Sequence, residues 1–308
     1  MNCCDEKPVI ALGAKEKLCK KHFMEYFEGK VFKTIRQFEL LDKSENLGVA
    51  ISGGKDSLTV LSILNKIALQ NPRIKLQAIA IDEGIAGYRD KTLETAKKFC
   101  DERKIVLDIF SFKEEFGFTL DEMLKILDVK PCTICGIFRR YLLNKKSREL
   151  KLTKLATGHN LDDEAQSIMM NQMKNNTDAS ARLGPKSGVV NDKKFVQRIK
   201  PLYFCTEKEV TTYAFVNRLL DDFNECPNAV ESYRAHVRDM INEMEQKFPG
   251  TKHSIVNSFL EILPTLKQKF NFLELKFCRK CNEPSSKEIC NACVYLQRLN
   301  DGFLKIKI

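Results

Sequence analysis

The chain has 308 residues, of which 43% are hydrophobic, so it can bury a substantial core and is not a disordered tail. It contains no run of about 18 apolar residues that could span a bilayer, and its first residues lack the basic-then-apolar order of a signal peptide. We therefore expect a cytoplasmic protein with no membrane contact. The formal net charge of +10 is compatible with a polyanionic partner such as RNA, although a lysine-rich composition alone gives a similar surface.

The alternation of helical and strand patterns predicts the fold class. Apolar residues recur at helix spacing over residues 23–41, and short apolar runs then alternate with helical patterns as far as residue 157. This order is typical of an α/β protein with a parallel, doubly wound sheet. The predicted strands cover residues 47–51, 76–81, 105–110 and 154–157, and the predicted helices cover 56–69, 90–103, 120–127, 137–150, 206–219, 229–247 and 253–269.

Cysteine-bearing segments at both chain ends divide the chain further. We expect a Cys/His zinc-finger-like module over residues 1–25 and a compact zinc knuckle over residues 271–308. The α/β domain with a helical C-terminal part then covers residues 26–270.

One glycine-rich motif follows the first predicted strand directly. Residues 52–57 have the sequence Ser-Gly-Gly-Lys-Asp-Ser and open the next helix. Glycines let backbone N–H groups approach a phosphate, and the helix N-terminus adds a positive dipole end. The motif therefore predicts an anion-binding loop. It is not a Walker A loop, because the G-x-x-x-x-G-K-[ST] spacing is absent.

A second polar loop follows the predicted strand at residues 154–157. It has the sequence Gly-His-Asn-Leu-Asp-Asp-Glu at residues 158–164, and ligands of such sheets lie beyond the carboxyl ends of the strands, where both loops converge. The adjacent carboxylates of Asp162 and Asp163 could coordinate Mg²⁺ or shuttle a proton. Alternatively, the two residues cap the next helix and favour its dipole.

Cys132 and Cys135 have the C-x-x-C spacing at which two thiolates reach one metal or cluster, in a predicted loop after Pro131. Cys226 is the natural third ligand, which would give a three-cysteine [4Fe-4S] site with one iron left open. A dithiol redox pair and half of a zinc site remain alternatives.

The other cysteines divide into zinc candidates and packing residues. Two C-x-x-C units about ten residues apart fit a closed tetrahedral zinc site. Its four predicted ligands are Cys278, Cys281, Cys290 and Cys293. A second structural zinc site would use Cys3, Cys4, Cys19 and His22. Cys100 and Cys205 lie in patterns that predict packing residues.

The motif at residues 52–57 resembles the PP-loop ATP-pyrophosphatase family, whose hallmark is SGGxDS after the first strand. The second loop resembles the signature of PP-loop enzymes that thiolate tRNA. With the cysteine groups, the chain is similar over nearly its whole length to the TtuA/NcsA-type tRNA 2-thiolation enzymes. Further matching stretches are residues 18–23, 84–88, 132–141, 201–202, 225–227, 249–252 and 284–286.

The resemblance implies an adenine nucleotide alpha-hydrolase-like fold and an ATP site. Ser52, Gly54, Lys55, Asp56 and Ser57 would hold the pyrophosphate portion, and backbone around Ala50, Ile51 and Ile81 the adenosine. Gly53, Gly158 and His159 would also bind the nucleotide. The implied catalytic residues are Lys55, Arg139, Asp162 and Asp163.

Two positions depart from the family pattern. The opening C-x-x-C of the family is the adjacent pair Cys3-Cys4, and the Lys-Arg pair after the cluster cysteines is Arg139-Arg140. Because arginine does not deprotonate, Arg139 must act by charge or hydrogen bonding.

The resemblance also implies the reaction. The C2 oxygen of a tRNA uridine attacks the α-phosphate of Mg²⁺-bound ATP, and sulfur from free sulfide or a ubiquitin-like carrier protein then replaces AMP. A homodimer is expected. The alternatives are a PP-loop enzyme that adenylates another tRNA base or a small acid, and a non-catalytic iron–sulfur or zinc RNA-binding protein.

Overall fold

The fold is taken from a computed structural model of the chain, which describes residues 6–12, 16–188, 194–220, 226–229, 233–270 and 276–306. The strands are β1 (Pro8–Leu12), β2 (Glu16–Cys19), β3 (Glu45–Ile51), β4 (Ile74–Asp82), β5 (Val106–Ser111), β6 (Lys154–Ala156) and β7 (Gln197–Ile199). The helices are α1 (Lys20–Gln37), α2 (Lys55–Gln70), α3 (Arg89–Arg103), α4 (Phe112–Phe116), α5 (Leu120–Ile126), α6 (Pro131–Glu149), α7 (Leu161–Met173), α8 (Thr177–Ala181), α9 (Glu207–Val216), α10 (Tyr233–Lys247), α11 (Thr251–Phe270) and α12 (Asn291–Ile306).

A parallel sheet organises the α/β part, as the sequence predicts. Its strand order is β5-β4-β3-β6-β7, and every neighbouring pair runs parallel. The sheet is covered on both faces, because alternate side chains of β4 enter different cores. Ala78 and Ala80 belong to one hydrophobic cluster with α1, α2 and α9, whereas Ile79 and Ile81 belong to another with α6. The doubly wound fold class is therefore confirmed.

A third hydrophobic cluster lies among the helices that follow the sheet. It joins Leu161 and Ile168 of α7 to Val237 of α10 and Phe259 of α11. This helical layer stands beside the second loop, because α7 begins directly after it. Among the helices that the structure describes, none has the length and apolar character that a bilayer crossing requires.

Several features differ from the sequence prediction, and the short helices α4 and α8 are among the elements that were not predicted. The pair β1-β2 forms an antiparallel hairpin, and β7 adds a short edge strand; neither was predicted. The predicted loop around Cys132 and Cys135 is wrong, because α6 already begins at Pro131 and contains both residues. Proline is well accommodated in the first turn of a helix, where its missing N–H has no helical partner. Both thiols therefore lie on the first turns of a helix.

The predicted zinc knuckle contains a helix of its own. Helix α12 follows Cys290, and Leu299 on α12 is fully buried in the same cluster as Phe138 and Leu142 of α6. The C-terminal segment thus packs on the helix that bears Cys132 and Cys135.

Leu61 and Leu69 lie on the same helix, α2, and provide a matched test of this packing. Leu61 is fully buried, whereas Leu69 is 76% exposed. Because truncation of a buried leucine leaves a cavity, we expect Leu61→Ala to lower the free energy of unfolding by about 2–5 kcal/mol and Leu69→Ala to change it by less than about 0.5 kcal/mol. Anaerobic urea unfolding followed by circular dichroism measures both values. Equal losses in the two variants would contradict the burial of this face of α2.

Candidate functional site

The glycine-rich loop between β3 and α2 is shaped by its own serines. The hydroxyl of Ser57 accepts a hydrogen bond from the N–H of Ser52 at 3.1 Å and donates one to the carbonyl of Gly54 at 2.9 Å. The hydroxyl of Ser52 accepts a weaker bond from the N–H of Gly54 at 3.3 Å. The loop is therefore folded before any nucleotide binds. Its outer face and the N-terminus of α2 form an anion-binding surface.

Two glycines allow close approaches around this loop. Gly53 has φ +83°, and a Cβ at this position would lie 2.0 Å from the carbonyl oxygen of Thr92 in α3. A Cβ at Gly158 would lie 2.8 Å from the backbone nitrogen of Ser57. Only glycine fits these approaches without a shift of the backbone. The first loop is thus packed against α3 on one side and against the second loop on the other.

Arg89 fixes the ends of β3 and β4, and sequence reasoning missed it. Its buried guanidinium donates to the carbonyl of Ser52 at 2.6 Å and to the carbonyl of Ile81 at 2.8 Å. It also forms an ion pair with the buried carboxylate of Glu83 at 2.9 Å. No motif signals this role, although Glu83 and Arg89 flank the matching stretch at residues 84–88.

The residues predicted to bind adenosine lie beside the two carbonyls that Arg89 binds. Ala50 and Ile51 end β3, next to Ile79 and Ala80 of β4, and Ile81 follows on β4. The structure thus brings these residues to the carboxyl edge of the sheet, beside the first loop.

Asn160 joins the second loop to the first. Its side-chain amide donates to Asp56 at 3.0 Å, and its side-chain oxygen caps α7 by accepting from the N–H of Asp163 at 3.1 Å. The carboxylate of Asp163 accepts in turn from the N–H of Asn160, which completes a capping box. The helix-capping interpretation of Asp163 is therefore confirmed.

Asp163 nevertheless has an unusual carboxyl group. Burial raises its pKa to about 6, against the attraction of Arg234 and with a further rise from Asp56. Burial also raises the pKa of Asp56, against the attraction of Lys55 and the hydrogen bond from Asn160. Two carboxyl groups of raised pKa beside a phosphate-binding loop suit proton transfer or metal binding.

Asp162 binds the helices that surround the site. Its carboxylate accepts from the N–H of Glu207 at the start of α9 at 2.8 Å and forms an ion pair with Lys252 of α11. Lys252 lies in the matching stretch at residues 249–252, to which sequence reasoning gave no role. Lys55 lies close by, 3.1 Å from Glu207 and 3.3 Å from Asp56.

These groups line a cavity of about 180 Å³ between the two loops and α9 and α10. Its lining residues are Asp56, Asn160, Asp162, Asp163, Gln166, Glu207, Arg234, Ala235 and Arg238. Carboxylate oxygens are the ligands that Mg²⁺ prefers, so this set fits the predicted ion.

His159 is an exposed residue of the second loop, and its ring Nδ1 shares a hydrogen bond with the hydroxyl of Thr157 at 2.9 Å. Desolvation by the surrounding protein lowers its pKa, and the charges of Lys200, Arg234 and Arg198 lower it further. His159 is therefore a neutral hydrogen-bonding group rather than a cation.

The segment that bears Cys226 packs against α6, which bears the other two cysteines predicted to hold a cluster. The Cys132 thiol donates to the carbonyl of Asn228, in the 3-10 turn (Pro227–Ala229) that follows Cys226, at 3.4 Å. Burial raises the pKa of the Cys135 thiol to about 11; Arg139 opposes the rise, and the neighbouring Cys226 and Cys132 add to it. A set of three soft thiols from two segments fits an iron–sulfur cluster.

Arg139 lies between this thiol group and Glu83. Its half-exposed guanidinium is 3.6 Å from the Glu83 carboxylate, which also pairs with Arg89. A hydrogen bond and two ion pairs thus connect the carbonyl of Ser52 to Arg139 through Arg89 and Glu83. This series of contacts links the first loop to the region of the thiols.

The four C-terminal cysteines form a compact group whose sulfur atoms all lie within 4.8 Å of one another. The sulfur of Cys278 accepts from the N–H of Cys290 at 3.3 Å, and the sulfur of Cys290 accepts from the N–H of Cys293 at 3.4 Å. Together with Cys281, this donor set fits the predicted tetrahedral zinc site.

The N-terminal zinc prediction is only partly covered by the described residues. Cys19 and His22 meet, with the sulfur 3.2 Å from Nδ1, whereas Cys3 and Cys4 lie outside the described residues. Cys100 and Cys205 are fully buried in the hydrophobic core, so their prediction as packing residues is confirmed.

Comparison with known proteins finds a family and several relatives that resemble this chain. A family described as the PP-loop domain matches residues 24–245. The tRNA-5-methyluridine(54) 2-sulfurtransferase of Pyrococcus horikoshii is 37% identical over 298 residues, which covers 96% of this chain and 93% of that protein. The tRNA 2-thiolation protein NcsA of Haloferax volcanii is 32% identical over 300 residues, which covers 92% of this chain and 93% of that protein.

A solved structure agrees with these sequence relatives. The U34-tRNA thiolase NcsA from Methanococcus maripaludis, solved with its [4Fe-4S] cluster, superposes with a TM-score of 0.79 at 37% identity, covering 92% of this chain and 90% of that chain. The resemblance to TtuA/NcsA-type enzymes is therefore confirmed. Because the family match covers most of the chain and its relatives match nearly their whole lengths, this chain belongs to the PP-loop domain family.

Proposed function

We propose that this protein is an ATP-dependent tRNA uridine 2-sulfurtransferase. The observation that carries the proposal is that a site for phosphate and a group of cysteines lie near each other. A phosphate-binding loop and a three-cysteine group are connected through Arg89, Glu83 and Arg139. The relatives named as tRNA sulfurtransferase and thiolase support the same activity.

The first step is assigned to the two loops. The loop at residues 52–57 and the N-terminus of α2 would bind the phosphates of ATP, with Lys55 neutralising part of their charge. The uridine C2 oxygen forms a bond to the α-phosphorus as the bond to the pyrophosphate oxygen breaks. Asp163 would accept the N3 proton in this step, and Asp56 with Glu207 would hold Mg²⁺.

The second step is assigned to the cysteine group. Cys132, Cys135 and Cys226 would hold a [4Fe-4S] cluster, which supplies an iron without a protein ligand as a Lewis acid toward sulfide. Hydrosulfide then forms a C2–S bond and its proton restores N3–H, as the C2–O bond breaks and AMP leaves with the electron pair. Arg139 would stabilise the negative charge that develops on the leaving AMP, since its guanidinium stays charged throughout.

The remaining assignments follow the same proposal. Cys278, Cys281, Cys290 and Cys293 would hold a structural Zn²⁺ in the knuckle of residues 271–308. Cys3, Cys4, Cys19 and His22 would form a second zinc site in residues 1–25, and residues 26–270 would form the catalytic domain. We also propose a homodimer, a cytoplasmic location, and either free sulfide or a ubiquitin-like carrier protein as sulfur donor.

The reaction itself is the test of this function. Cluster-loaded protein is incubated anaerobically with unmodified tRNA, ATP, Mg²⁺ and sulfide, and digested nucleosides are separated by mass spectrometry. We expect 2-thiouridine with equal amounts of AMP and pyrophosphate. The absence of a thionucleoside from a cluster-replete sample would refute the proposed function.

Two cysteine variants separate the cluster from the zinc site in the same assay. Cys226→Ala removes one of three cluster ligands, so we expect loss of iron and of product with zinc retained. Cys278→Ala removes one of four zinc ligands, so we expect loss of zinc and a lower melting temperature with iron retained. Iron and zinc contents by metal analysis check both. Loss of zinc from Cys226→Ala with unchanged iron would reassign Cys226 to a zinc site.

The raised pKa of Asp163 gives a pH dependence with a defined sign. A base must be ionised, so kcat/KM for ATP at saturating Mg²⁺ should fall as the pH drops through the pKa of about 6 and stay level above it. Asp163→Asn should lower kcat/KM by about 10²–10⁴-fold and remove the acid limb of the pH profile, which is the fall in kcat/KM near pH 6. Asp178→Asn, which changes an exposed aspartate on α8, is the control. A limb near pH 6 that persists in Asp163→Asn would exclude Asp163 as the base.

A further inference from the structure

Two arginines, one of them on the helix that bears Cys132 and Cys135, have no carboxylate partner among the residues that the structure describes. Arg140 lies on α6 and Arg198 on β7, and the guanidinium of Arg198 donates to the backbone carbonyl of Arg140 at 3.4 Å. Within the described part of the chain, no ion pair includes either side chain, whereas Arg139 pairs with Glu83 and Arg148 with Glu283. We call Arg140 and Arg198 the arginine pair.

The position of Arg140 depends on the glycine one turn before it. A Cβ at Gly136 would lie 3.0 Å from Nη1 of Arg140, so the guanidinium folds back over this glycine along α6. The guanidinium thus lies beside the residue that directly follows Cys135, and it remains exposed.

Arg198 lacks, among the described residues, the carboxylate that normally compensates a half-buried cation. Burial lowers the pKa of Arg198 to about 10, and the charges of Arg140 and Arg139 lower it further. Desolvated positive charges that repel one another are costly unless an anion joins them. Planar guanidinium groups match the geometry of phosphate oxygens, so phosphate is the anion that this pair suits.

The arginine pair stands between the two halves of the site. Arg198 faces Leu155 across the β6–β7 pair, and β6 ends directly before the second loop. Arg140 lies on α6, the helix that bears Cys132 and Cys135. The phosphates of ATP already have a site at the first loop, so we assign an anion at the arginine pair to the second substrate.

Basic residues continue from the pair along β7. Lys186 pairs with Ile199 through an isolated β-bridge, and Lys267 of α11 donates to the carbonyl of Lys186 at 3.2 Å. Neither lysine forms an ion pair among the described residues. Several cations close to β7 suit a polyanionic strand rather than a single small anion.

We propose that Arg140 and Arg198 bind a backbone phosphate of the substrate RNA next to the target uridine, and so position that base between the two loops and the cysteine group. This inference rests on the proposed function, because it takes tRNA as the second substrate. The arginine pair positions the substrate and takes no part in the chemical steps.

The test compares tRNA binding with ATP binding and cluster content in the holoenzyme. Arg198→Gln and Arg140→Gln are measured against Arg182→Gln, which changes an exposed arginine paired with Asp178. The dissociation constant of tRNA is determined by fluorescence anisotropy at several salt concentrations. We expect weaker tRNA binding by roughly tenfold for each pair variant and a salt slope smaller by about 0.7–0.9, as for one lost phosphate contact. ATP affinity, iron content and Arg182→Gln should not differ from wild type.

Charge is separated from folding by a conservative variant. Arg198→Lys keeps the cation, so its salt slope should remain near the wild-type value. The inference is overturned if tRNA affinity and salt slope are unchanged in Arg198→Gln and Arg140→Gln while the wild-type enzyme thiolates tRNA. Loss of iron or of ATP binding in both variants would also overturn it, because the arginines would then support the fold of the site. Failure of the wild-type enzyme to thiolate tRNA would instead count against the proposed function.

Discussion

The site depends on one buried cation, Arg89. Burying a guanidinium is costly unless its charge is paired and its N–H groups are bonded, and Arg89 meets both conditions through Glu83 and the carbonyls of Ser52 and Ile81. Those two carbonyls belong to the ends of neighbouring parallel strands. The arginine therefore fixes the distance between the loops that follow β3 and β4, and every assignment of a phosphate or a base to this edge relies on that distance.

Different ionisable groups lie on the two sides of Arg89. On the nucleotide side, Asp56 and Asp163 have raised pKa values because burial disfavours their ionised forms. On the thiol side, Arg139 places a permanent cation beside the cysteines and shares Glu83 with Arg89. An acceptor for protons and a stabiliser of negative charge thus stand on opposite sides, as a two-step transfer through an adenylate needs.

Much of the fold follows from sequence periodicity, since alternating apolar strands and amphipathic helices leave few arrangements other than a parallel sheet. Both loops and the four C-terminal cysteines were also predictable, because their spacing carries the chemistry directly. Arg89 was not, since it binds backbone carbonyls that no side-chain pattern reveals. The place of Cys132 and Cys135 on a helix was missed because the predicted helix began only at residue 137, whereas α6 begins at Pro131. Strand β7 was missed because three residues carry too little periodicity to distinguish a strand from a turn.

Asp162 shows why a motif does not assign a role to each of its members. The two adjacent aspartates look equivalent in sequence, but Asp162 is bound by Lys252 and the N–H of Glu207, whereas Asp163 has a raised pKa. The difference arises from α9 and α11, which reach the site from more than 40 residues away in the sequence. Such contacts are set by the tertiary fold and not by the motif.

In the proposed reaction, the α-phosphorus of ATP becomes bonded to the C2 oxygen of the uridine. Transcription of tRNA with uridine labelled by ¹⁸O at C2 allows this oxygen to be followed through the reaction. If the account is correct, each 2-thiouridine formed releases an AMP that contains the labelled oxygen, detected by mass spectrometry. AMP without the label, or ADP and phosphate in place of AMP and pyrophosphate, would contradict it.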